Sequence, residues 1–237
     1  MIKSTLTLFL ILFSIIGSGY KGVGDNLFFS TQDKSKNSIE RQILYNGRVW
    51  QNEFSNTDGD QFFLSSDFST GSVAVDGHNF DSVQIRYDLI NDELLIQRND
   101  GTIILINKEM VDSFSLFYYD NIYRFVKFDN AFAGSLNGYC QLLYDGNIKI
   151  YVKYTKELIG TTITNGLPKF SQVNKVYIVK EGKIHRTDNR KELLNLFTEG
   201  EEQSMLKKYM RSNQITISRK DPDSFRRVIE YYETKTK

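Results

Sequence analysis

From Arg41 to about Arg186 the sequence alternates apolar and polar residues with a period of two, and turn dipeptides cut the alternation into short pieces. Val83, Ile85, Tyr87 and Leu89 alternate with Ser82, Gln84, Arg86 and Asp88; Ile148, Ile150, Val152 and Tyr154 alternate with Asn147, Lys149, Tyr151 and Lys153. A strand points successive side chains to opposite faces, so each run offers one face to a core and one to water. Asp76-Gly77, Asp100-Gly101 and Asp145-Gly146 separate such runs, and tight hairpins need the positive φ that Gly and Asp tolerate. Asn91-Asp92, Asp120-Asn121 and Glu181-Gly182 are weaker versions. The predicted strands are Ser72–Val75, Ser82–Leu89, Glu93–Gln97, Thr102–Ile106, Ser113–Tyr119, Ile122–Phe128, Tyr139–Tyr144, Ile148–Tyr154 and Lys175–Lys180. Connections this brief join antiparallel neighbours. The predicted fold class is therefore mainly β (α+β): an antiparallel meander over 41–186 forming a sandwich or open barrel, followed by a small C-terminal helical segment.

Thr102–Ile106 (TIILI) is apolar on both faces and reads as a central strand. Thr155–Asn174 has no clean period and contains Gly160, Gly166 and Pro168, so it reads as an irregular connector. From 187 to 237 the period becomes helical. Asp188 or Asn189 can cap a short helix with Leu193, Leu194 and Phe197, with Glu192 three residues after Asn189, where a capping-box side chain reaches back. A second helix carries Met205, Leu206, Tyr209 and Met210. A third starts at Asp221-Pro222 and places Phe225, Val228, Ile229 and Tyr232 on one face.

The beginning of the chain states a destination. Lys3 is followed by Leu6–Ile16, eleven residues without a charge, and then Gly17-Ser18-Gly19. A basic start, a short apolar run and a small-residue exit read as a secretory signal peptide over 1–19; the run is shorter than the about 20 residues a spanning helix needs. No cysteine follows it, so a lipoprotein start is not expected. Residues 20–40 are polar and read as a flexible lead. The mature chain is thus expected in the periplasm or outside the cell, with no transmembrane segment. Most predicted strands are too short, and too charged on their outer faces, for an outer-membrane barrel.

Composition narrows the chemistry. Lys and Arg total 30 against 29 Asp and Glu, so no global field draws the chain to nucleic acid. The 58 residues from Lys180 carry 14 bases and 10 acids, a modest excess that suits docking against the more acidic β region. The single cysteine, Cys140, excludes an internal disulfide and reads as a small buried apolar side chain. With only two histidines and no paired thiolates, no metal site or cofactor is expected. No G-x-S-x-G, H-E-x-x-H or phosphate-binding glycine motif occurs, and no catalytic residue is assigned. His78 and His185 each follow a hairpin turn and read as solvated side chains. Asn56–Asp60 (NTDGD) resembles part of a calcium loop but lacks its further spaced ligands and reads as a polar turn. Aromatic residues make up 14% of the chain, and adjacent rings such as Phe62-Phe63 and Tyr118-Tyr119 face opposite ways in a strand. Trp50, Tyr118 and Tyr119 are accordingly the candidate ligand or partner surface.

LYNG (Leu44–Gly47), GSVAVDGHNFDSVQIRYDLINDELLI, GYCQLLYDGNIKIYVKY and the tail KELLNLF, LKKYMRSNQITI and VIEYY resemble an uncharacterised family of exported β-rich proteins of Bacteroidota, over roughly Arg41–Tyr232. That resemblance implies a bacterial envelope setting and no catalytic residues. Asp81-Ser82-Val83 also resembles the O-glycosylation acceptor of these bacteria. The expected function is a non-enzymatic envelope protein that binds or scaffolds, with an envelope protein or glycan as partner. The alternatives are a glycan-binding module and a hydrolase whose carboxylates are assembled in space.

Overall fold

The computed structural model describes residues 42–54, 56–129, 136–160 and 166–236; the leader expected at 1–19 and the lead at 20–40 lie outside them. The described strands are β1 (Gly47–Val49), β2 (Ser69–Val75), β3 (His78–Asp88), β4 (Glu93–Gln97), β5 (Ile103–Ile106), β6 (Val111–Tyr118), β7 (Asn121–Phe128), β8 (Gly138–Asp145), β9 (Lys149–Ile159), β10 (Lys169–Lys180) and β11 (Lys183–Arg186). Three helices follow, α1 (Arg190–Leu194), α2 (Glu201–Ser212) and α3 (Asp223–Thr236).

All named strands join one antiparallel sheet in the order β1-β5-β4-β3-β2-β6-β7-β8-β9-β10-β11. Two meanders explain that order. One runs β2 to β5, and the second returns beside β2 and runs β6 to β11. The predicted hairpins form where Gly or a short polar residue accepts positive φ: Asp76 (50°) with Gly77 (74°), and Glu181 (51°) with Gly182 (73°). The sheet rolls without closing. Residues 56–63 occupy the seam between the end of β3 and the far arm of β9. The Lys156 N–H bonds the Leu89 carbonyl at 3.3 Å, Phe62 bridges Asp88, and the Lys156 ammonium donates to the carbonyls of Asp60 (2.8 Å) and Phe62 (2.6 Å). An open barrel, rather than two stacked sheets, is the result.

Inside the roll, the alternating residues do what their period demands. Ile85, Tyr87, Ile150 and Val152 are buried in one cluster with Phe114, Phe125 and Tyr139. Phe225, Val228 and Ile229 of α3, with Leu206 and Met210 of α2, join the same cluster. Rings dominate its centre: Phe114 stacks on Phe125 at 4.7 Å, and Phe63 meets Phe125 edge-on at 5.2 Å.

The structure corrects the sequence reading in four places. Thr155–Asn174 is no irregular connector at its ends, because β9 runs on to Ile159 and β10 begins at Lys169, the two pairing from Lys169↔Ile159 through Val179↔Lys149. Backbone bonds carry that ladder where the side chains do not alternate. The short strand β1 went unread because all three of its residues are exposed. TIILI is buried at Ile104, Leu105 and Ile106, yet only β1 separates it from the sheet edge, so it is not central. Phe62 and Phe63 are both buried instead of facing opposite ways, because they lie in the seam and not in a strand.

Of the two cap candidates, Asn189 is the N-cap. Asn189 accepts the Glu192 N–H at 3.1 Å through its side chain, and the Glu192 carboxylate reaches back to the Asp188 N–H at 2.6 Å and the Asn189 amide at 2.7 Å. Asn189→Ala is expected to lose about 1 kcal/mol, seen as a melting shift of roughly 2–4 °C for a chain of this size. A shift under half a degree in calorimetry would show that the cap contributes nothing.

Candidate functional site

A cavity opens where the sheet splits. β7 and β8 pair only from Phe125↔Gln141 to Phe128↔Gly138. Beyond Phe125, Asn121–Arg124 of β7 diverge from Leu142–Asp145 of β8. Tyr118 and Asn121 close a two-residue turn, so they form the hydrogen-bonded pair and the alternation turns the N–H and C=O of Ile122 and Arg124 away from β6. The Arg124 carbonyl closes the last rung of the β7–β8 ladder, and the Ile122 groups with the Arg124 N–H face the opening. The start of α3 forms the third wall, and the cleft holds about 810 Å³.

Most charges in this cleft are neutralised. Arg226 donates to Asp223 (2.6 Å) and Glu230 (2.9 Å). Asp221 accepts from Arg227 at 3.1 Å, and Asp145 pairs with Lys149. Arg124 and Lys220 line the cleft without an ion pair among the described residues, so these two cations are open to a carboxylate from outside.

An apolar rim adjoins it. Phe117 and Ile122 are direct cross-strand partners, 42% and 52% exposed, and Tyr119 at the turn is 86% exposed. Tyr119 takes φ 49°, so its ring reaches solvent because of the turn and not by strand alternation. Tyr118 is half-buried and meets Tyr119 edge-on at 4.6 Å. Tyr118 and Tyr119, singled out in the sequence, thus stand beside this cleft; the sequence carried no sign of the split ladder.

Trp50, the third candidate, stands elsewhere on the sheet. It is half-buried, 6.0 Å from Phe62, and the Arg86 guanidinium lies 5.2 Å from its ring, 3.8 Å from Phe62 and 4.4 Å from Phe68. Burial lowers the Arg86 pKa from its usual value, opposed by Asp60, Asp88 and Asp67. Arg86 Nη1 donates to the Ser66 carbonyl at 2.5 Å. Sequence reading missed Arg86, whose place on the outer side of an alternating strand looked like simple solvation.

No family model, no curated protein and no solved structure matches this chain. Its chemistry therefore has to be read from its own side chains.

The other sequence candidates settle as structure. Cys140 is fully buried with Leu136 and Tyr177, and burial pushes its thiol up to about 12. His78 is exposed at its turn, its Nδ1 2.9 Å from the Asp76 carbonyl oxygen. In the NTDGD segment, Asp60 accepts the Phe62 N–H at 2.8 Å and the Lys156 ammonium at 3.2 Å, and Asp58 bonds the Pro168 carbonyl through its N–H at 2.8 Å. Its carboxylate chemistry is spent on the barrel seam. Among the described residues no group of three or more His, Cys, Asp or Glu side chains is placed to hold a metal ion, and no helix is long and apolar enough to cross a membrane.

Proposed function

We propose that this chain is an exported envelope protein that binds an extended polypeptide segment along the open edge of β7. The observation that carries this reading is the interrupted β7–β8 ladder: it stops at Phe125↔Gln141, so the N–H and C=O of Ile122 and the N–H of Arg124 face an open cleft. An added strand satisfies such groups, and pockets for alternate side chains supply selectivity. Phe117, Tyr119 and Ile122 offer apolar contacts at the rim, while Arg124 and Lys220 favour an acidic residue in the segment. Export rests on the leader reading. A non-catalytic role is favoured over a hydrolase because the cleft carboxylates are engaged in ion pairs with arginine or lysine.

Panning a random-peptide display library on the whole protein tests the reading. Enriched peptides are expected to be acidic, with alternating apolar positions, and to protect the Ile122 and Arg124 amides from hydrogen exchange. Ile122→Pro removes one outward N–H and leaves the β6 ladder intact, so it is expected to weaken these peptides at least tenfold, about 1.4 kcal/mol, whereas Ile122→Val retains them. Equal binding by the proline variant would overturn the proposal. So would self-association that protects the same two amides, since the occupant would then be a second copy of the chain.

A further inference from the structure

A second cavity, independent of the β7 cleft, lies beside Trp50. It holds about 280 Å³ and is lined by Arg48, Trp50, Glu53, Gln61, Asn91 and Glu93, among others. These residues come from β1 and the chain after it, from the barrel seam, and from the β3–β4 turn with the start of β4. Tertiary folding alone brings them together.

Polar groups here keep hydrogen-bonding capacity that the protein does not use. Gln61 is only 3% exposed, yet its side-chain amide makes no hydrogen bond among the described residues and the residue lines the cavity. Gln141, another buried amide of this sheet, is by contrast held by the Tyr154 hydroxyl at 2.7 Å. Asn91 is held by Asp88, which is fully buried and accepts the Ile90 N–H (2.8 Å), the Asn91 N–H (3.1 Å) and the Asn91 side-chain amide (3.1 Å). That arrangement fixes the Asn91 amide and leaves its carbonyl oxygen to accept. The Glu93 pKa is raised, chiefly by burial, with Arg48 and Lys108 acting against it and Asp88 and Glu53 with it.

We infer that this cavity is a saccharide site: a sugar enters beside Trp50 and its hydroxyls bond Gln61, Asn91 and Glu93. A hydroxyl both donates and accepts, so one ligand class satisfies an amide, a carbonyl oxygen and a carboxylate together. An apolar ligand would leave all three unpaired, and a simple anion would meet Glu53 and Glu93. The volume lies at the lower end for small-ligand cavities, about 300 Å³, and suits one or two rings.

Trp50 is the sole tryptophan of the chain, so its emission reports on this cavity alone. The whole protein is titrated with neutral hexoses, N-acetylhexosamines and uronic acids, each as the free sugar and as the methyl glycoside. A saturable change in emission is expected with a neutral or N-acetylated member, with dissociation constants of about 1 mM or tighter. Uronic acids are expected to bind more weakly because of the two glutamates. Response to the methyl glycoside identifies a chain-linked sugar as ligand, and response to the free sugar alone identifies a soluble one; either supports the site. Gln61→Leu and Glu93→Gln, both confirmed folded by circular dichroism, are expected to weaken binding about tenfold each, while Ile122→Pro leaves it unchanged. No saturable response to any sugar overturns the inference, as does a response of equal affinity in both cavity variants. Because the β7 edge contributes no residue to this cavity, failure here and failure of the peptide reading are separate results.

Discussion

Asp92→Ala is expected to destabilise the fold by about 3–5 kcal/mol, the loss that follows when one partner of a largely buried ion pair is removed. Asp92 stands in the β3–β4 turn at φ 56°. Its Oδ1 accepts from the Tyr87 hydroxyl at 2.5 Å and the Lys153 ammonium at 2.7 Å; its Oδ2 accepts from Lys108 at 2.7 Å. Lys153 is nearly buried, and without Asp92 it keeps only the Tyr139 carbonyl at 3.1 Å. Burial first, and the Asp92 charge second, hold the Tyr87 phenol protonated as a donor. Gly138 belongs to the same design: it takes φ 66°, and a Cβ there would overlap Asp92 Oδ2 and approach the Lys153 nitrogen to 2.9 Å.

Urea denaturation checks the expectation, as a lower midpoint at unchanged slope. Asp92→Asn tolerates the left-handed conformation and removes the charge together with one acceptor oxygen, so it measures the share carried by the carboxylate while one acceptor remains. Lys153→Met in the Asp92→Ala background is expected to recover much of the loss, because it removes the stranded ammonium; the cycle measures the coupling directly. A loss below about 1 kcal/mol for Asp92→Ala would place the pair in the regime of exposed, screened ion pairs.

This network shows why sequence reading reached the fold sooner than the sites. Asn91-Asp92 was legible as a turn because Asp tolerates positive φ, and Asp92 takes it. Nothing at Asp92 announced Lys108 or Lys153, which arrive from other strands. The same limit applies to the cleft. Ile122 and Leu142 each alternate correctly within their strands, but a ladder that stops at Phe125↔Gln141 is a relation between strands and leaves no period in either. Tyr119 was read as exposed on the premise of a strand, and it is exposed because the strand ends at Tyr118. Trp50 could be singled out as a lone large ring; Gln61 could not, since its significance lies in being buried without a partner. Where two side-chain faces differ, the pattern names the strand. At the far arms of β9 and β10, where both faces are largely open, only backbone pairing defines it.

Glu233→Ala is expected to cost about 3 kcal/mol, since it strands a buried N–H and removes two charge-assisted hydrogen bonds. Glu233 lies near the end of α3 and is almost fully buried. It accepts the Ile148 N–H at 2.6 Å and the Tyr144 hydroxyl at 3.0 Å, so one carboxylate fastens the helix to the β8–β9 hairpin. The fit is close enough that a Cβ on Gly146 would overlap the carboxylate. Glu233→Gln separates hydrogen bonding from charge: its carbonyl oxygen can still accept from Ile148 and its amide can donate to the Tyr144 oxygen, so it is expected to retain most of the stability. Hydrogen exchange at the Ile148 amide should accelerate in the alanine variant and stay slow in the glutamine variant. Equal damage by both would mean that the negative charge, and not the pair of bonds, holds the helix. Tyr144 also lines the cleft on the side facing β7. Glu233→Ala is therefore expected to weaken peptides selected on the β7 edge by loosening the opposite wall, with the Trp50 emission response unchanged. Ile122→Pro should weaken the same peptides without the stability loss, and that contrast separates a groove that must be held in shape from a backbone edge that must be free to pair.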